Sequence, residues 1–150
     1  MSLAEARRMA FEQALDMRDL TYQEFEGQVT AGVEVGFNLY NLRDLKTYFW
    51  FQPDGETVHV TTNCIAWVPE DRRERALEAV NEVNLRWRWA SFFVEEGSIV
   101  AAADILLVDH LAGETCADFL LHRFIAVIND VYPLLMRRLW ADDGDSDDKS

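Results

Sequence analysis

The first half of the chain changes its hydrophobic period once, from a helical repeat to an alternating one. Apolar residues recur at helical spacing after a capping box formed by Ser2 and Glu5, which predicts an amphipathic helix over residues 3–18. Residues 20–31 keep no clear period and are expected to form a loop. The alternation that follows predicts strands over 33–39, 45–52 and 57–64, joined by short polar turns. These three strands predict an antiparallel meander.

The second half repeats this change in the order helix, two strands, helix. Pro69 at the first helical position predicts a helix that runs to about Leu85. Alternation over 86–95, an acidic-Gly turn and an apolar run over 99–108 predict a hairpin, with its second strand covered on both faces. An apolar stripe from Gly113 onward predicts the last helix.

Pro133 lies inside the pattern of this last helix. Proline removes a backbone donor and clashes with the preceding turn, so a kink or break is expected near Tyr132, with a terminal helical segment to Trp140. The complete order is α-βββ-α-ββ-α. It predicts an α+β fold in which helices pack on an antiparallel sheet.

Length and composition define the expected domain. The chain has 150 residues, 49% of them apolar, which fits one domain over residues 1–141. Residues 142–150 hold five Asp and one Lys, and this composition predicts a disordered acidic tail. No apolar run approaches the roughly 20 residues of a spanning helix, residues 1–18 lack an apolar signal segment, and the two cysteines form no CxxC motif. A cytoplasmic protein with no membrane contact is therefore expected.

The net charge of −13 narrows the class of partner. Because an acidic surface repels phosphates, no nucleic-acid binding is expected. Basic and aromatic residues alternate over Arg86, Trp87, Arg88 and Trp89, a pattern that could stack on bases. In an acidic chain we interpret these four residues as a candidate protein contact, since Trp and Arg are enriched at interfaces.

Candidate chemistry is sparse. The three histidines lack metal-ligand spacing and no Gly-rich phosphate loop occurs, so neither metal, cofactor nor catalytic residue is predicted. Asp104 interrupts an apolar strand, and it is interpreted as an exposed carboxylate or one that pairs with a nearby arginine. The alternative hypothesis is an enzyme or small-ligand protein with a pocket between the sheet and the last helix, using Asp104, His122 or Cys116.

Two asparagines near the end of the second helix raise a separate question, because asparagine is a poor helix former. At about 100° per residue, Asn81 and Asn84 lie on the side of Leu77 and Val80, which is predicted to face the protein. Buried amides need partners, and the carbonyls at the helix end and the amides of the following strand are the nearest. We interpret the pair as a structural clamp of the helix-to-strand corner.

The run ALEAVNEVNLRWRWASFFVEEGSIVAAADILL, with VYPLL at 131–135, resembles the YbjN family of bacterial sensory transduction regulators. The resemblance covers roughly residues 20–140. It implies a fold like that of type III secretion chaperones, often dimeric, and it brings no catalytic residues. The leading hypothesis is therefore a non-enzymatic cytoplasmic protein that binds another protein or itself, with homodimerisation expected.

Overall fold

A computed structural model of the chain describes residues 2–26, 31–107 and 111–141. The helices are α1 (Leu3–Asp16), α2 (Arg73–Arg86), α3 (Ala112–Phe119) and α4 (Ile125–Trp140); a 3-10 turn (Glu70–Arg72) precedes α2, and a π-helical turn (Leu120–Phe124) joins α3 to α4. The strands are β1 (Gln23–Glu26), β2 (Ala31–Phe37), β3 (Leu45–Phe51), β4 (Thr57–Thr62), β5 (Ala66–Trp67), β6 (Ser91–Glu95) and β7 (Ser98–Leu106). The predicted acidic tail, residues 142–150, lies outside the described residues.

All seven described strands belong to one antiparallel sheet. The order runs β1-β2-β3-β4-β7, with β5 also on the β4 side of β7 and β6 on its other side. The predicted meander corresponds to β2, β3 and β4, and the predicted hairpin to β6 and β7. The α+β fold and the antiparallel sheet are thus confirmed.

The described helices pack against one face of this sheet, which we call the inner face. Helix α1 contacts β2 and β3, α2 contacts β6, and α3 and α4 pack on α1 and α2. Phe11 of α1 packs against Phe49 of β3 with the two rings tilted and their centroids 4.5 Å apart, and both rings are fully buried. The predicted capping box starts α1, because Ser2 Oγ accepts from Glu5 N and Ser2 N donates to the Glu5 carboxylate. A single core therefore fills the space between the sheet and the helices.

Several predicted boundaries were wrong. The expected loop over 20–31 contains β1, and β5 was not predicted at all. The strand expected over 86–95 starts only at Ser91, since α2 continues to Arg86 and the backbone of Trp89 has φ +80°. The second hairpin strand is not covered on both faces, because Leu106 remains 69% exposed.

Pro133 does not break the last helix, so of the predicted kink or break the break is wrong. Helix α4 runs through Pro133 from Ile125 to Trp140. Proline lacks the N–H that would bond the carbonyl four residues back, at Asn129. Asn41, in the β2–β3 loop, replaces that donor: its Nδ2 donates to Asn129 O at 2.8 Å, and its backbone N donates to Asn129 Oδ1 at 2.8 Å. A tertiary contact thus substitutes for the missing helical bond.

The helical run Ala112–Trp140 has a mean hydropathy of 1.3 over its most apolar window, so by length and composition alone it could cross a membrane. This differs from the expectation that no run approaches that length. Its stripe of fully buried residues lies in the protein core and includes Leu120, Phe124, Ile128 and Leu135. Packing of the core accounts for that stripe.

Candidate functional site

The opposite face of the sheet, which we call the outer face, carries no described helix. Its β1–β3 side is covered by aromatic rings. Phe25 lies opposite Gly32 in the register, and its ring fills the space where a side chain at Gly32 would stand. The same ring contacts Trp50 edge-on, with centroids 4.6 Å apart, and Trp50 Nε1 donates to Thr61 Oγ1 at 3.0 Å. The rings are therefore held in fixed positions on an accessible surface.

A groove of about 590 Å³ continues this outer face across β4, β7 and β6. Small residues of β7, among them Ala102, form its floor, and Phe93 of β6 lies 47% exposed at its side. His59 and Asp104 stand opposite each other in the β4–β7 register, with Nδ1 and Oδ1 2.8 Å apart. Asp104 is thus an exposed carboxylate, but it pairs with a histidine rather than an arginine.

Large apolar side chains elsewhere on the outer face are more exposed than those of the groove. Trp67 of β5 is 74% exposed and Leu106 of β7 is 69% exposed. The strand register places both on the same side as His59, Phe93 and Asp104. Together with Trp50 and Phe25 they form an apolar, partly acidic surface of the kind that binds other proteins.

The residues proposed for an enzyme do not meet in one pocket. Asp104 is on the outer face, whereas Cys116 is fully buried in α3 on the helical side. Burial raises the pKa of the Cys116 thiol to about 12, so this cysteine stays protonated and unreactive. His122 is exposed on the π-helical turn, and neither it nor Cys116 lines the groove. The prediction that these three groups converge on a pocket between the sheet and the last helix is therefore wrong.

No cluster of three or more His, Cys, Asp or Glu residues that could hold a metal ion occurs in the described ranges. The nearest approach to catalytic geometry is the His59–Asp104 pair, which orients an imidazole; among the described residues, Thr61 and Ser91 line the same groove, and neither hydroxyl bonds to that imidazole. His110 lies outside the described residues.

Asn84 and Asn81 have different surroundings. Asn84 Nδ2 donates to Phe92 O at 3.0 Å, and Phe92 N donates to Asn84 Oδ1 at 2.8 Å. Because the Phe92 N–H donates to Asn84, that N–H does not pair with β7. The Asn84 carboxamide therefore occupies the free edge of β6, as a neighbouring strand would. Asn81 is exposed, and the prediction that it faces the protein is wrong. Asn84 is itself exposed, so its bonds to Phe92 form at the rim of the protein rather than in the core.

The segment between α2 and β6 forms what we call the tryptophan corner, residues 87–90 together with Arg123. Trp89 is 52% exposed, and the Arg123 guanidinium carbon lies over its ring, 5.1 Å from the centroid. Arg86 lies over the Trp87 ring at 4.9 Å and also pairs with Glu82 at 2.9 Å. Of the predicted contact residues, Arg86, Arg88 and Trp89 are exposed and Trp87 is half-buried. Arg123 was not predicted, because it is 34 positions from Trp89 in the chain.

On the helical side of the sheet, the carboxylate of Glu12 has a raised pKa. Glu12 of α1 is buried, and burial together with a hydrogen bond to Glu24 of β1 raises its pKa to about 7. Arg8 Nε lies 3.6 Å from Glu12 Oε2, within ion-pair range. By contrast, Arg138 holds the pKa of Glu82 below its ordinary value.

The sequence model of the YbjN family, described as "Putative bacterial sensory transduction regulator", matches residues 8–136. The match spans most of the 150 residues, so the chain belongs to the YbjN family. No curated protein and no solved structure matches it. The predicted likeness to type III secretion chaperones therefore stays a prediction.

Proposed function

We propose that this chain is a non-enzymatic cytoplasmic regulator that acts by binding protein through the outer face of its sheet. The observation that carries the proposal is the segregation of all described helices to the inner face, which leaves the outer face with exposed apolar side chains. Its membership of a regulator family points in the same direction.

The geometry of the outer face favours protein over a small substrate. The aromatic rings are spread over several strands instead of enclosing one cavity, and the groove is open and bounded by Phe93 and the His59–Asp104 pair. Protein interfaces combine such apolar and aromatic centres with a polar rim. The expected homodimer is part of the proposal: two copies, or one copy and another protein, would cover this surface.

The experiment places an arginine on the groove floor. In Ala102→Arg, a long charged side chain occupies the groove without removing an inner-face contact; Ala126→Arg makes the same exchange at an exposed position of α4. Each variant and the parent chain are analysed by light scattering over a range of concentrations and by affinity capture from the native host. We expect the parent and Ala126→Arg to form dimers or retain a partner, and Ala102→Arg to lose that association.

A parent chain that is monomeric at every concentration and repeatedly captures nothing would overturn the proposal. Equal association by the parent and Ala102→Arg, with both folded by circular dichroism, would show that binding occurs elsewhere. In that case the outer face would not be the functional site.

A further inference from the structure

The tryptophan corner combines two locally unfavourable backbone features. Trp89 has φ +80°, a conformation that bulky L-residues rarely adopt. Glycine would make the same turn without strain. Arg123 projects from a π-helical turn, an insertion that occurs often at functional sites. Both features occur where the Trp89 and Arg123 side chains meet.

Burial does not compensate for the strain at Trp89. The side chain stays 52% exposed, and the described ring contact it makes is with Arg123 at 5.1 Å. A residue that is strained and exposed gains little stability for the fold. Strained, exposed aromatic residues are typical of contact sites, where tryptophan and arginine contribute most of the binding energy.

The positive charge of the corner indicates which chemical group its ligand carries. The chain carries 27 acidic residues against 14 Lys and Arg, yet the described exposed residues Arg88 and Arg123 at this corner form no ion pair with a described carboxylate. A guanidinium over an aromatic ring is held in place while its N–H donors remain able to bind a carboxylate in bidentate fashion. The corner therefore favours a carboxylate-bearing ligand.

We propose that the tryptophan corner binds an acidic segment of a partner protein, with Arg123 and Arg88 bonding its carboxylates and Trp89 contacting its apolar side chains. This inference rests on the proposed protein-binding function and adds the chemistry of the partner. Trp89 lies two residues before Ser91, which lines the groove, so one partner could contact both.

The experiment measures binding of a short fluorescein-labelled peptide that alternates Glu and Leu, by fluorescence anisotropy. The same peptide with Gln for Glu, a short single-stranded DNA and anionic vesicles serve as other probes. We expect the acidic peptide to bind best. Arg123→Gln should weaken its binding about tenfold or more, as for a central interface residue, whereas Arg137→Gln, a matched exchange at an exposed position near the end of α4, should not.

Trp89→Gly separates a binding role from a structural one. Because glycine relieves the strain at this turn, we expect the melting temperature to rise while peptide binding falls. A lower melting temperature would show that Trp89 serves the fold and would overturn the inference. So would equal binding of the Glu and Gln peptides, or tighter binding of DNA or vesicles.

The outcomes distinguish this inference from the proposed function. If Ala102→Arg abolishes association while Arg123→Gln and Trp89→Gly leave both association and peptide binding unchanged, the outer face is functional and the corner is not. If all three variants associate like the parent, the proposed function itself fails.

Discussion

At the scale of single residues, Asn84 illustrates how a polar side chain can satisfy the backbone hydrogen bonds at the edge of a sheet. Its carboxamide satisfies the N–H and C=O of Phe92 at the edge of β6. Asn84→Ala leaves both groups without a protein partner, so we expect a loss of about 1–2 kcal/mol in the free energy of unfolding. Urea denaturation measures this, and Asn81→Ala, three positions earlier and exposed, is the matched control with an expected change within about 0.5 kcal/mol.

Equal effects of the two substitutions would contradict this division of roles. A second consequence follows from the freed edge: unpaired strand edges recruit other chains, so Asn84→Ala should also aggregate more readily on partial unfolding. The helical angle alone placed both asparagines on one side of α2. It did not show which of them would reach β6, because that depends on where the strand begins.

Glu12 makes stability depend on pH between about 5 and 7. Its pKa rises from 4.5 to about 7 on folding, through burial first and the hydrogen bond to Glu24 second. The folded state therefore binds more protons than the unfolded state in this window, and stability must fall as pH rises through it. Glu82 and Glu114 have lowered pKa values, so their contributions change at lower pH and do not mask the effect.

Glu12→Gln tests this directly, because glutamine keeps the shape of the side chain and cannot ionise. Urea denaturation at several pH values should show a falling free energy of unfolding for the parent chain and a much flatter dependence for the variant. Glu78→Gln, the same exchange at an exposed position of α2, is the matched control. An unaltered slope in Glu12→Gln would rule out Glu12 as its source.

At the scale of elements, the Asn41–Asn129 pair explains how α4 tolerates Pro133. Asn41→Ala removes the donor to the Asn129 carbonyl, which Pro133 leaves without its helical partner. We expect a loss of about 1–2 kcal/mol in the free energy of unfolding. In a Pro133→Ala background the helix supplies its own N–H, so the same substitution should matter less; a double-mutant cycle measures that coupling. Additive effects would contradict the compensation.

Sequence periodicity predicted the long elements and missed those that depend on tertiary contacts. The stretches 33–39 and 57–64 alternate because one face lies in the core, and they correspond to the strands β2 (Ala31–Phe37) and β4 (Thr57–Thr62). Strand β1 is four residues long and mainly exposed, so it leaves no pattern; the fit of Phe25 over Gly32 holds it. The break predicted at Pro133 was wrong because Asn41, remote in sequence, supplies the missing bond.

The candidate site was predictable only in part, for the same reason. Trp89, Arg86 and Arg88 were identified because basic and aromatic residues alternate there, and this sequence pattern does not depend on the fold. The outer face is a property of the whole sheet: Phe93, Trp67 and Leu106 share it through strand register. Arg123 and Trp89 meet only because a π-helical turn and a strained corner come together, and no local pattern encodes that.

At the scale of the whole molecule, the net charge of −13 opposes compaction. Favourable surface pairs such as Arg138–Glu82 and Arg18–Glu114 exist, but exposed pairs contribute only about 0–1 kcal/mol each. Screening should therefore relieve more repulsion than attraction. We expect the melting temperature to rise with sodium chloride from low to physiological ionic strength, where the Debye length is about 8 Å. Potassium chloride should act equally, because screening does not depend on the cation; a melting temperature that falls with salt would mean that the ion pairs outweigh the net charge.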